Sequence, residues 1–498
     1  MTTNSGIFTA ARWKFWPGEI FDGVSYREPG NRSNWFFFVV ILLSAGINSM
    51  YLFNDLWQDE LYSLRHFVFV PVRVTLTDYH STNNHIVSNL LMSLYLKMLG
   101  VDFNTVLNYP VIVRILPFVL TLAGITFFYY CTRRLAGPAF AKVALVIYCT
   151  TLQVYTFGTQ GRGYALELLL CSVHMLNLLE FVKSGKKRSF WIAGVAGGLM
   201  LINLPSTIYY YLATETVILI GLFRLAGGER SRQVFAGLTG IVGLLLCVLF
   251  FVFFPGVDQL LGNTMATPVQ NSIASNIRLP FTVIYRLFDW RLLLPVLLVY
   301  ATIRGQKLAR QHSYSVFLLF SFGLSFVLFW LHNPEHVLRI WLVLIPLFCL
   351  LMAHLLVPIV GMLNKYAFAF YLANLVPLFV SLFFLSQRLQ SYNKTNFITL
   401  DLRYQYHLEG FNPNKALQTA FRIASEKHGK VLVRECFPAG IDFYLKTMPI
   451  DSLNAANNYS SLVVYVTDCP PDSIPLAVKQ KLSPVNNVPG FYKVYIGN

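Results

Sequence analysis

From Asn34 to about Ser386 the chain is a succession of apolar runs separated by short polar loops. Each run is roughly 17 to 25 residues long, the length of helix that crosses about 30 Å of hydrocarbon. The pattern predicts helical spans near 35–53, 109–131, 138–158, 163–183, 189–203, 205–224, 234–254, 291–304, 314–332, 339–360 and 366–386, about eleven in all. Residues 85–100 break the pattern. Their apolar face is shorter and reads as an amphipathic helix lying in the membrane interface rather than crossing it. Beyond residue 386 the texture changes to helix (414–428), strand (430–434), short helix (439–446), strand (461–467) and strand (491–496), with turns at Pro470-Pro471 and Pro489-Gly490.

The expected organisation is therefore an N-terminal segment 1–33, a membrane domain 34–386 with a long first loop 54–108, and a small soluble α/β domain 387–498. Composition supports a polytopic α-helical membrane protein: 55% of the 498 residues are hydrophobic and 12% charged, with a mean hydropathy of +0.53, outside the range of ordinary soluble chains. A net charge of +16 would suggest nucleic acid in a soluble protein. Here the Lys and Arg concentrate in alternate loops, at Arg133-Arg134 with Lys142, Lys183 to Arg188, Arg224 to Arg232, Arg304 to Arg310 and Lys365, the positive-inside pattern. It places the N-terminus in the cytoplasm, and an odd number of spans places the first loop and the C-terminal domain outside. No cleavable leader is evident, and the first span reads as a signal anchor. Of seven cysteines, five fall in or beside spans as small apolar packers. Cys436 and Cys469 lie in the outer domain, where a disulfide between them is one option.

Charge at a membrane boundary is costly and usually has a partner or a task. On the expected outer side, the first loop carries Asp59, Glu60 and His85, the turn between the third and fourth spans carries Arg162 and Tyr164, the segment from Pro255 to Trp290, read as a long loop, carries Arg278, and a late loop carries His336 and Arg339. Each alone fits a plain reading: acids at a helix start complementing its dipole, or an Arg snorkelling to headgroups. The run His332 to His336 matches an inverted zinc-protease pattern, but Pro334 disfavours the continuous helix that pattern needs.

In order along the chain, the acidic pair after the first span, the interfacial helix opened by Asn84-His85, the Arg162-Gly163-Tyr164 turn, the late Arg339 opening a Pro-containing span, and the soluble tail together resemble the GT-C glycosyltransferases. The likeness is to the dolichyl-phosphate-mannose-protein mannosyltransferase and aminoarabinose-transferase branch. Where those families carry His-Pro-Pro at the start of the interfacial helix, this chain has Asn83-Asn84-His85-Ile86. The resemblance implies a polyprenyl-phosphate sugar as donor, a hydroxyl on a glycan, lipid or protein as acceptor, inversion at the anomeric carbon, membrane lipid as a partner and no nucleic acid. It makes Asp59 the base, with Glu60 beside it in the catalytic pair, pairing with an Arg or His of the same loop. Arg162, Arg339 and Arg278 would meet the phosphate, with Tyr164, His85 and His336 as further donor contacts. Because the donor carries its own phosphate leaving group, one base suffices, unlike the two carboxylates of glycosidases. A single acidic pair without further clustered carboxylates argues against a bound divalent ion, and no cofactor beyond the lipid-linked donor is expected. Two other classes fit the same composition: a transporter or flippase of lipid-linked glycans, whose charges sit mid-membrane among paired repeats, and a non-catalytic sensor or scaffold.

Overall fold

The computed structural model describes residues 35–49, 52–53, 55–81, 83–184, 186–223, 230–253, 273–288, 313–332, 338–362, 413–426, 430–434, 463–467, 482–485 and 493–497. Spans expected at 291–304 and 366–386, the short helix at 439–446, His336 and the two outer cysteines lie outside these residues.

The first helix, α1 (Trp35–Ser49), leads into the long loop. The loop folds as α2 (Gln58–Ser63), a π-helical turn Leu64–Val68, α3 (Val72–Thr77), α4 (Ile86–Met98) and α5 (Phe103–Asn108). At 13 residues α4 is about 20 Å long, too short to cross. Its outward positions Leu91, Leu94 and Met98 are exposed while Ser88, Asn89 and Ser93 are buried. That inverted polarity suits a helix whose outer face meets lipid.

A bundle follows: α6 (Val111–Ala136), α7 (Pro138–Thr150), α8 (Leu152–Gly158), α9 (Tyr164–Ser184), α10 (Lys187–Asn203), α11 (Ile208–Phe223), α12 (Arg230–Phe253), α13 (Ile273–Phe288), α14 (Ser313–His332) and, after a 3-10 turn Leu338–Val343, α15 (Leu344–Met362). Two of the described helices, Val111–Ala136 and Tyr164–Phe181, are long and apolar enough to cross a membrane. Several shorter apolar helices stand at expected spans. One large buried apolar cluster joins α1, α6, α7, α9, α10, α14 and α15.

Two details depart from the sequence pattern. Lys142, expected in a loop, is buried one turn inside α7, with its ammonium 5.7 Å from the centre of the Phe36 ring. Helix formation restarts at Pro138, directly after the turn at Gly137, so Lys142 falls within the helix. The supposed loop Pro255 to Trp290 contains α13, which buries Leu279 and Val283 and exposes Ile273, Ile277 and Phe281. Its Pro280 and interspersed polar residues masked the helical period.

The bundle has two distinct ends. At one, Glu180 near the end of α9 accepts Lys186 Nζ at 2.9 Å and Arg134 Nε at 3.3 Å, so the basic loops after α6 and α9 meet. At the other, the start of α6, the 159–163 turn and the end of α10 gather around the first loop.

At the C-terminus, α16 (Pro413–Glu426) precedes β1 (Lys430–Arg434), β2 (Val463–Thr467), β3 (Leu482–Pro484) and β4 (Lys493–Gly497). They form one sheet of order β1-β2-β4-β3. β1 runs parallel to β2 with Leu432 opposite Tyr465, and β4 is antiparallel to both β2 and β3. The strands expected at 430–434, 461–467 and 491–496 are present to within two residues; β3 is additional, at only three residues too short to show an alternation.

Candidate active site

Asp59 and Glu60 occupy the first turn of α2. Consecutive helical positions diverge by about 100°, so one carboxylate turns inward and the other outward. Glu60 is fully buried. Its Oε1 accepts Arg114 Nε at 3.2 Å and the Gly161 amide at 2.7 Å; its Oε2 accepts Arg114 Nη2 at 2.8 Å and the Trp57 amide at 2.8 Å. Two donors on each oxygen fill the four lone-pair positions of a carboxylate, so none is left for a substrate proton. The partner expected from the same loop is instead Arg114, from the first turn of α6. Arg114 is itself buried and spends its remaining reach on the Asp55 carbonyl at 2.9 Å. A buried ion pair holds only when both members are satisfied in this way.

Asp59 points to a more open space, with its side chain 21% exposed. Its Oδ2 receives Arg162 Nη1 at 2.8 Å and Arg339 Nη1 at 3.1 Å. Asn83 Nδ2 approaches Oδ1 at 3.4 Å, while Arg162 Nη2 donates to Asn83 Oδ1 at 2.6 Å. Asn83 stands at the point where the sequence departs from the family pattern, and it bridges the acid and the arginine.

The Arg162 turn is tightly made. A Cβ on Gly161 would lie 2.4 Å from Val113 Cγ1, and one on Gly163 would lie 2.6 Å from His85 Cβ. Only glycine lets the backbone pass this close to α6 and to His85. Arg162 is 3% exposed. Its guanidinium carbon is 4.9 Å from the centre of the Tyr164 ring, a cation–π contact, and His85 meets Tyr164 edge to face at 5.0 Å. His85 Nε2 lies 3.4 Å from Arg162 Nη2. Burial, reinforced by the positive charges of Arg162 and Arg339, holds the His85 imidazole well below the usual histidine range, so the ring is neutral and turns its Nε2 lone pair to the arginine. Behind it, Asn203 at the end of α10 accepts the Ser88 amide at 3.0 Å and donates to Glu167 at 2.8 Å and to the Gly163 carbonyl at 3.2 Å. This pins the start of α4 to the Arg162 turn.

Asp59, Glu60, His85, Arg162, Tyr164 and Arg339 thus converge from four separate stretches of chain. Arg278 does not join them; it projects from an exposed position on α13. Among the described residues no group of three or more His, Cys, Asp or Glu is arranged to hold a metal ion. Sequence reasoning missed Arg114, Asn83 and Asn203. Arg114 had a signal, a lone cation at the head of an apolar run; the two asparagines had none.

No protein-family model matches this sequence, and no curated protein does. Solved structures do. ArnT from Cupriavidus metallidurans in the apo state superposes with a TM-score of 0.50 over 93% of this chain and 98% of that one, at 12% identity. The fold is ArnT-like. The structure of the same ArnT bound to undecaprenyl phosphate matches equally, with a TM-score of 0.50, 12% identity, and 93% and 97% of the two chains covered. The ArnT-like fold expected from the order of motifs is therefore present, and the converging residues described above lie in a chain with that fold.

Proposed function

We propose that this protein is an inverting glycosyltransferase that moves a sugar from a polyprenyl-phosphate donor to an acceptor hydroxyl at the outer face of the plasma membrane. The observation that carries the reading is the division of labour within the acidic pair: Glu60 is saturated by four donors, whereas Asp59 is partly exposed and flanked by two arginines. Arg162 and Arg339 offer planar guanidiniums that match phosphate oxygens. When the donor phosphate takes them over, Asp59 is released to accept a proton. The acceptor oxygen then attacks the anomeric carbon, the bond from that carbon to the phosphate oxygen breaks, the hydroxyl proton passes to Asp59, and the polyprenyl phosphate leaves with the electron pair. Neutral His85 and Asn83 hold Arg162 in place, and Glu60 holds the turn that carries it. The ArnT-like fold, and the binding of undecaprenyl phosphate by the Cupriavidus protein, favour a lipid-linked donor.

The test is sugar transfer in proteoliposomes supplied with polyprenyl-phosphate sugars, with polyprenyl-phosphate affinity measured in parallel. Asp59→Asn keeps the shape but cannot take a proton, so turnover should fall at least about a hundredfold while donor affinity holds or rises, since the carboxylate no longer competes for the arginines. Arg162→Ala should weaken donor binding. Transfer at near wild-type rate by Asp59→Asn would remove it as the base.

A further inference from the structure

The loop that carries Asp59 is built against the C-terminal helix. Asp55 is buried, and its Oδ2 accepts the Asn414 amide at 2.8 Å. Asn414 is the second residue of α16, after Pro413, so its N–H is among those that a helix start leaves without an internal partner. A carboxylate from 359 residues earlier in the chain therefore caps this helix, using the same chemistry as a local cap. The contact is framed by two more: Asn414 Nδ2 donates to the Leu107 carbonyl at 2.9 Å, and Gln418 Nε2 to Asn108 Oδ1 at 3.1 Å. Beneath them Leu56, Trp57, Leu61 and Leu64 share one buried apolar cluster with Leu417 and Phe421. These loop residues bracket Asp59 on both sides. The carbonyl of Asp55 also accepts Arg114, which in turn holds Glu60.

We infer that α16 is a positioning element for the base: through Asp55, and from there through Arg114 and Glu60, the C-terminal helix fixes the first turn of α2 and hence the direction of Asp59. Neither Asp55 nor α16 touches the reacting groups; they act through the backbone that presents Asp59. A misplacement of about 1 Å at a reacting group costs up to about a hundredfold in rate, so a cap this close to the base governs turnover without contributing to donor binding. The inference rests on the transferase reading for its kinetic part and on the contacts alone for its structural part.

Three versions of the full-length protein in proteoliposomes decide it: wild type, Asp55→Ala and Asp55→Asn. In Asp55→Ala, turnover should fall about ten- to a hundredfold with polyprenyl-phosphate affinity unchanged to within about twofold, and amide hydrogen exchange across residues 56–63 should quicken. Asp55→Asn, which keeps a cap-forming oxygen, should recover most of both. If Asp55→Ala cannot be obtained folded, Asn414→Pro replaces it, because it deletes the N–H that Asp55 accepts together with the Asn414 side-chain bond to the Leu107 carbonyl, both of them contacts of the helix start with the loop. Unchanged turnover in the alanine variant overturns the inference. So does slowed turnover with wild-type exchange over 56–63, which would move the effect elsewhere. Should the wild type transfer no sugar, the transferase reading fails, and the exchange data still decide whether α16 holds the loop.

Discussion

Protonating His85 would place a third cation beside Arg162 and Arg339. Its pKa in the folded protein is depressed, first by burial and then by those two charges. The unfolded chain therefore takes up a proton near pH 6.5 while the folded chain does not. The resulting stability is fully present above about pH 6.5 and is lost as pH falls toward the folded value. Melting curves of the donor-free protein from about pH 8 to about pH 5 should show this loss, and His85→Gln should flatten it. A variant as pH-sensitive as the wild type would show that other groups dominate the acid limb. At this scale Asp59, Arg162 and Arg339 were legible because charge in apolar surroundings is conspicuous. Asn83 and Asn203 were not, since a neutral amide in a loop or at a helix end looks the same whether it ties two segments together or faces water. The pairing of Glu60 was half legible: an arginine partner followed from its chemistry, but Arg114 lies 54 residues away, a separation no local pattern encodes.

Among the elements, α6 has the most at stake, since its first turn delivers Arg114 to Glu60 and to Asp55. Arg114→Met leaves a buried carboxylate facing no cation, a loss of about 3–5 kcal/mol. Denaturation in detergent should register it, and Arg114→Lys should restore little because an ammonium cannot span both carboxylate oxygens and the Asp55 carbonyl together. A melting temperature unchanged by Arg114→Met would show that the pair contributes little. The helices with unbroken apolar runs were readable from period and length alone. The exceptions have physical causes: α13 hides behind a proline and scattered polar residues, and the expected span 138–158 divides into α7 and α8 at Thr151, whose extended backbone breaks the helix.

For the whole molecule, the two ends of the bundle make a prediction about sidedness. Single cysteines placed at Arg188 and at Gln418 should label from opposite faces of the membrane, with Gln418 on the side reached by a cysteine at Tyr62 in the first loop. Labelling of all three from one side would contradict the arrangement in which Glu180 gathers the basic loops at one end and α16 rests on the first loop at the other. The order of spans and the alternation of basic loops were enough to expect a polytopic helical membrane protein, because membrane thickness and charge asymmetry are one-dimensional constraints written along the chain. The ArnT-like frame was expected only from the resemblance carried by Asp59-Glu60, His85, Arg162-Gly163-Tyr164 and Arg339. The seating of α16 on the first loop depends on side chains hundreds of residues apart and left no trace in that pattern.

If Arg162 and Arg339 receive the donor phosphate as proposed, their sharing of Asp59 sets how that phosphate is admitted. An incoming headgroup does not find bare cations; it exchanges one anion for another, and the net electrostatic gain of such an exchange is small. Affinity must then come mainly from the hydrocarbon of the donor, at about 0.8 kcal/mol for each buried CH₂. Inorganic phosphate and soluble sugar nucleotides carry the charge but no tail, so a site of the proposed kind would discriminate against them without any steric gate. On the proposed reading, selection would be made by the route of arrival, because a phosphate delivered through the lipid brings the hydrocarbon that offsets displacing the resident carboxylate.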